Sequence, residues 1–231
     1  MSHFSVAVVT KDKNKIEEIL TPYWEELEVE PYIYKTKEQL IDLAKDRKKR
    51  FTESKEKGEK LDKWQLKYIK ANTDEELYKA EIDDVDEYDE NGNQLTTYNP
   101  SSKWDWYDIG GRWRNQLLTR EDNDDTFEHN SIAEHLGNFK DIKPAPKGYK
   151  WVNGAKIKDI DFNKMNEGKE EPFYTWALVD ETGWYEQGKM GWWAMNNATD
   201  ESTEQFNKKF QEYIKAEENQ EKYLVIVDCH I

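Results

Sequence analysis

Residues 3–9 read His3-Phe4-Ser5-Val6-Ala7-Val8-Val9, an alternation that puts Phe4, Val6 and Val8 on one face of a strand and His3, Ser5, Ala7 and Val9 on the other. Downstream, Ile16, Ile19, Leu20, Tyr23, Trp24 and Leu27 fall at helical spacing, and Thr21-Pro22 can cap and restart that helix. At the far end, Tyr223–Val227 reads as a strand running into Asp228-Cys229-His230-Ile231. Before it, Phe173–Val179 and Trp184–Gln187 read as strands joined by Asp180-Glu181-Thr182-Gly183. Ser202 and Gln205 have capping-box spacing ahead of Phe206, Phe210, Tyr213 and Ile214, which share a helical face. Strand, helix, strand pair, helix, strand predicts an α+β chain with a ferredoxin-like, split βαβ antiparallel sheet. In that order the first and last strands are antiparallel neighbours, so His3 and His230 are expected side by side.

The rest of the chain reads as additions to this core, within a single domain spanning 1–231. Thr36 with Gln39, and Thr73 with Glu76, have capping-box spacing, and Leu61, Trp64, Tyr68 and Ile69 share a helical face. These predict a helical insertion over 36–80 with Gly58 at a junction. Residues 81–99 read as an acidic loop or hairpin turning at Asn91-Gly92. Residues 140–170, punctuated by Pro144, Pro146, Gly148, Gly154 and Gly168, read as an irregular connection.

Composition narrows the function classes. The 231 residues carry 34 basic and 49 acidic side chains, a formal charge of −15. Leu, Ile, Val and Phe make up only about a fifth of the chain, the level at which charged sequences stop folding. Ten Trp and thirteen Tyr make up the missing apolar area. No long apolar run or secretory leader is present, so a membrane partner is not expected and the reducing cytoplasm fits the one cysteine, Cys229. Residues 35–70 hold 13 Lys and Arg against 7 Asp and Glu, which leaves −21 on the remainder. Duplex nucleic acid is therefore expected to be repelled over most of the surface, with 45–70, where Arg47, Lys48, Lys49 and Arg50 lie, as the exception. The run Asp83, Asp84, Asp86, Glu87, Asp89, Glu90 is either a solvated loop or a set of spaced carboxylates imitating a phosphate backbone.

Three constellations could carry chemistry. With Phe4, Val6 and Val8 facing helices, His3 is expected on the open side of the sheet, where Asp228 and His230 would join it. Two imidazoles and a carboxylate can hold a divalent metal with open positions, or act as an acid and base pair on a phosphoester. The alternative is two histidines exposed at chain ends. In Asn99–Arg114, Trp104, Asp105, Trp106, Arg112 and Trp113 combine ring faces, a forked cation and the pair Gly110-Gly111, a mixture suited to a nucleotide-like ligand. Those rings could equally plug the core. In Gly188–Trp193, Lys189 is a candidate anion ligand and Trp192 a stacking ring, while Trp193 is expected on the opposite face. His129 and His135 read as surface residues, and Cys229 as a small buried hydrophobe. No GxGxxG, Walker, HExxH or GxSxG pattern occurs.

The opening MSHF, the TPY at Pro22, the NPxxKWDWYxxGGRW of Asn99–Trp113, the GKMGWW of Gly188–Trp193 and the closing VDCHI together resemble a family of uncharacterised bacteriophage and prophage proteins. The resemblance implies a phage accessory protein made in the host bacterial cytoplasm, and implies no reaction. Two functions are expected. One is a Trp/Arg/His-lined pocket that hydrolyses or sequesters a small phosphorylated ligand such as a host immune signal. The other is an acidic anti-defence protein, of anti-CRISPR or anti-restriction type, that binds a host defence enzyme through carboxylates.

Overall fold

The structure, a computed structural model, describes residues 2–127, 144–191 and 195–231. The chain is mixed α and β. In order, it forms β1 (His3–Thr10), α1 (Ile16–Leu20), β2 (Tyr32–Lys35), α2 (Lys37–Glu56), α3 (Lys63–Lys70), α4 (Asp74–Glu81), β3 (Glu87–Tyr88), β4 (Gln94–Thr96) and β5 (Trp106–Ile109). There follow β6 (Leu117–Arg120), β7 (Thr126–Phe127), β8 (Tyr149–Val152), β9 (Gly154–Lys156), α5 (Phe162–Asn166), β10 (Ala177–Asp180), β11 (Gly183–Glu186), α6 (Asp200–Lys215) and β12 (Tyr223–His230). They divide between two compact units, one of Met1–Leu27 with Asn99–Ile231, the other of Glu28–Tyr98. The helical insertion thus belongs to a larger unit that also holds β2 and the acidic hairpin. No helix among the described residues is long and apolar enough to cross a membrane.

In the first unit the sheet runs β11-β10-β1-β12-β9-β7, and β5 pairs with the stretch of β12 beyond β9. β1 and β12 are antiparallel from His3↔His230 to Thr10↔Tyr223. The split order is replaced. β10 lies directly beside β1, parallel to it, with its hairpin partner β11 outside, whereas a split βαβ unit would put another strand between them. The helices also take opposite faces. Phe4, Val6, Val8, Val225 and Val227 pack with Ile16, Ile19 and Leu20 of α1. Ala7, Val9, Leu224 and Ile226 pack with Phe206, Phe210 and Ile214 of α6 and with Leu117, Leu118 and Val152 of β6 and β8. The expected open side is therefore covered along most of its length, because Ala7 and Val9 are apolar on both counts of the alternation and need burial. Beyond Ala7 and Ile226 the same face turns polar, with Ser5, His3, Asp228 and His230.

Residues 140–170 are more regular than their Pro and Gly content predicts: among those described are β8, β9 and α5. Asn153 between β8 and β9 joins the strands around it, its carbonyl accepting the Ile226 N–H at 2.8 Å. Helix α6 begins earlier than expected: Thr199 is the cap and Ser202 closes the box at its third position. In the second unit, α2, α3 and α4 bury Ala44, Tyr68, Ala71, Leu77 and Ala80. Arg47 joins them, bonding the Tyr68 hydroxyl at 3.1 Å and Glu81 at 3.2 Å. The hairpin β3–β4 closes over Asp89, whose carboxylate accepts from the N–H groups of Asn91 and Asn93 and the Asn93 amide. Those bonds hold its pKa below the usual carboxylate value.

Candidate functional site

The strand register decides where the histidines go. In β1–β12, His3 is opposite His230 and Ser5 opposite Asp228; in β12–β5, His230 is opposite Trp106 and Asp228 opposite Asp108. Directly opposed residues share a face, so His3, Asp228, His230, Trp106 and Asp108 gather at one end of the sheet. Asp228 is 2% exposed and reaches diagonally to His3, with its Oδ1 2.9 Å from Nδ1. Its other oxygen accepts the Arg112 backbone N–H at 2.9 Å. Asp105, 37% exposed, lies 2.6 Å from His230 Nδ1, and its own N–H donates to the His230 carbonyl. The result is two imidazole–carboxylate dyads whose rings meet edge to face at a centroid separation of 4.9 Å.

With each Nδ1 held by a carboxylate, each ring has Nε2 left for other work. The side chains of His3 and His230 are 14% and 12% exposed. His230 Nε2 is fully buried and has no hydrogen-bond partner. Trp106, 51% exposed, sets its ring edge-on to His3 at 6.4 Å. The glycine pair works against the protein itself rather than a phosphate. A Cβ on Gly111 would overlap Asp228, and one on Gly110 would overlap Asn153, so both glycines let the Arg112 segment press onto buried polar side chains.

The remaining candidates separate. Trp104 is buried, gives its indole N–H to the Leu20 carbonyl at 3.1 Å and stacks on Trp24, so it is core. Trp113 packs against the α6-side core. The Arg112 side chain is exposed, and only its backbone touches the dyads. Lys189 is exposed, and its backbone is tied to Asn197. Its loop reaches the site's edge through the Ser2 hydroxyl, which donates to the Gly191 carbonyl at 3.2 Å. Trp192, His129 and His135 lie outside the described residues. His3, Asp228 and His230 do not converge on one ion: both carboxylates are engaged with imidazole nitrogens, and no three His, Cys, Asp or Glu among the described residues form a metal-binding group. Cys229 faces the α1 side, and burial pushes its thiol pKa well up.

No family model, curated protein or solved structure matches the chain. The site is thus read from its own geometry. Sequence reading missed Asp108, although its place two residues after Trp106 on one strand was the signal. It also missed Asn153, whose Oδ1 accepts the Asn115 N–H at 2.7 Å under the glycine pair. A cavity of about 930 Å³, lined by residues including Thr119, Arg120, Tyr149, Asp161 and Gln211, includes none of the cluster. Arg120 there lies over the Tyr149 ring and Tyr149 donates to Asp161, so its polar groups largely answer one another. The dyads hold the more specific chemistry.

Proposed function

We propose that the chain is a phage-encoded accessory protein that acts in the host cytoplasm on a small phosphorylated, nucleotide-like ligand, through acid–base chemistry at the His3–Asp228 and His230–Asp105 dyads. The observation that carries this reading is the pair of imidazoles 4.9 Å apart, each anchored through Nδ1 by its own carboxylate. Such anchoring fixes tautomer and ring orientation and leaves Nε2 as the nitrogen that can give or take a proton. Trp106 offers a stacking face and the exposed Arg112 a cation for phosphate. Hydrolysis or sequestration of a host immune signal is the biological use that follows.

Mimicry of nucleic acid by the acidic run has less support. Asp83, Asp86 and Asp89 accept hydrogen bonds from their own segment, so three of the six carboxylates already have partners there, although of these Asp83 and Asp86 stay exposed. Calorimetry with mono- and dinucleotides, combined with phosphorus NMR of the mixtures, tests the pocket. Binding or turnover by the wild type that is lost by at least tenfold in His3→Ala and His230→Ala, with folding intact, is expected. Equal binding by all three proteins would remove the dyads from the function.

A further inference from the structure

Resting on the acid–base reading of the dyads, we infer that the ligand is a short ribonucleoside phosphodiester whose own 2′-hydroxyl is the nucleophile, so that the product is a 2′,3′-cyclic phosphate. Four observations lead there. First, His230 Nε2 is buried without a partner while Nδ1 faces Asp105. With Nδ1 protonated toward that carboxylate, Nε2 carries a lone pair, and leaving a buried acceptor unanswered is unfavourable. A ligand hydroxyl is the donor that answers it.

Second, among the described residues no serine or cysteine side chain stands out as a nucleophile on this face. Ser5 accepts the Trp176 N–H through its hydroxyl oxygen, and the Cys229 thiol lies on the other side of the sheet. The attack is therefore assigned to an oxygen that arrives with the ligand. Third, the local charge suits a monoanion. Asp105, Asp228 and Asp108 lie at the site, with Arg112 as an exposed cation and Lys189 in the adjoining loop. A phosphodiester carries one negative charge; a phosphomonoester carries nearly two at neutral pH, and a long nucleic acid many more, against a protein at −15. Fourth, Trp106, the direct cross-strand partner of His230, is half exposed and can stack a base.

The step balances without a further reactant. His230 Nε2 takes the proton from the 2′-hydroxyl, the O2′–P bond forms as the P–O5′ bond breaks, and protonated His3 delivers a proton from Nε2 to the leaving O5′. Asp228, held by the Arg112 N–H, orients His3, and Asp105 orients His230.

The test uses the full chain with uridylyl-3′,5′-adenosine and its 2′-deoxy analogue, followed by phosphorus NMR and calorimetry. Expected are cleavage of the ribo compound to a 2′,3′-cyclic phosphate with a bell-shaped pH profile, and binding of the deoxy compound without cleavage. His230→Ala, its folding checked by circular dichroism, should lose about 10²–10⁴-fold in rate on the ribo compound. Cleavage of the deoxy analogue at a similar rate overturns the hydroxyl assignment. Dyad-dependent binding of both compounds with cleavage of neither also overturns it, and leaves the binding function standing. Absence of binding to either compound and to every other nucleotide overturns both readings.

Discussion

Gly111 is the residue on which the site turns. It lies at a φ of 45°, and any side chain there would meet the Asp228 carboxylate. Gly111→Ala should cost about 1–3 kcal/mol through strain and, separately, displace Asp228 from His3. The measurable signature is a lower denaturant midpoint together with loss of ligand binding; an unchanged affinity would mean that Asp228 does not position His3. The same contact explains why Gly110-Gly111-Arg112 was only half legible. Glycines before an arginine announce close approach, and the partner approached turned out to be Asp228 and Asn153, which lie far away in sequence. Trp104 and Trp106 show the limit from another side. Two residues apart on neighbouring positions of one motif, they read alike, yet the indole of one is taken up by the Leu20 carbonyl and the other stays exposed. Only the tertiary partner separates them.

The start of α2, whose signal is local, was read well. Thr36 caps α2 with the reciprocal bonds to Gln39 that its spacing implies, at 3.2 and 2.9 Å. Thr36→Ala should lower the stability of the Glu28–Tyr98 unit by about 1 kcal/mol, seen as a shift in its denaturant midpoint, with ligand binding at the dyads unaltered. The pairing of β1 with β12 was also legible, since two alternating strands at the chain's ends carry polar residues at matching positions. The neighbour of β1 on its other edge was not. Whether β10 or β11 takes that place depends on the hand and face of the connection through α1 and the inserted unit, and no residue in β10 records it. The face choice followed the same logic: Ala7 and Val9 needed cover, but nothing nearby in sequence said that α6 and β6–β8 would provide it.

Across the molecule, the rings that replace aliphatic residues bring hydroxyls into or beside the core, and these make stability depend on pH at the alkaline end. Burial, and then the 2.7 Å bond to Asp180, raise the pKa of Tyr213 far above its ordinary value. The bond to Asp125 at 2.6 Å, and then burial, raise that of Tyr223 from 10.0 to about 12. Both folded values lie above the unfolded one. Their contribution is therefore complete below about pH 10 and is lost as pH rises through the folded values. Melting midpoints should fall from about pH 10 upward, and Tyr223→Phe should flatten that fall between about pH 10 and 12; an unchanged slope would show that the Asp125 bond is not maintained.

β12 has no free edge: β1 runs along one side, and β9 and β5 divide the other. An amide on such a strand exchanges its hydrogen with solvent only when neighbours on both sides let go together, so the β12 backbone should be among the last in the protein to take up deuterium. His230 and Asp228 ride on that strand. Their backbone is fixed for as long as the sheet is, and whatever motion the site uses is left to the rings of His3, His230 and Trp106.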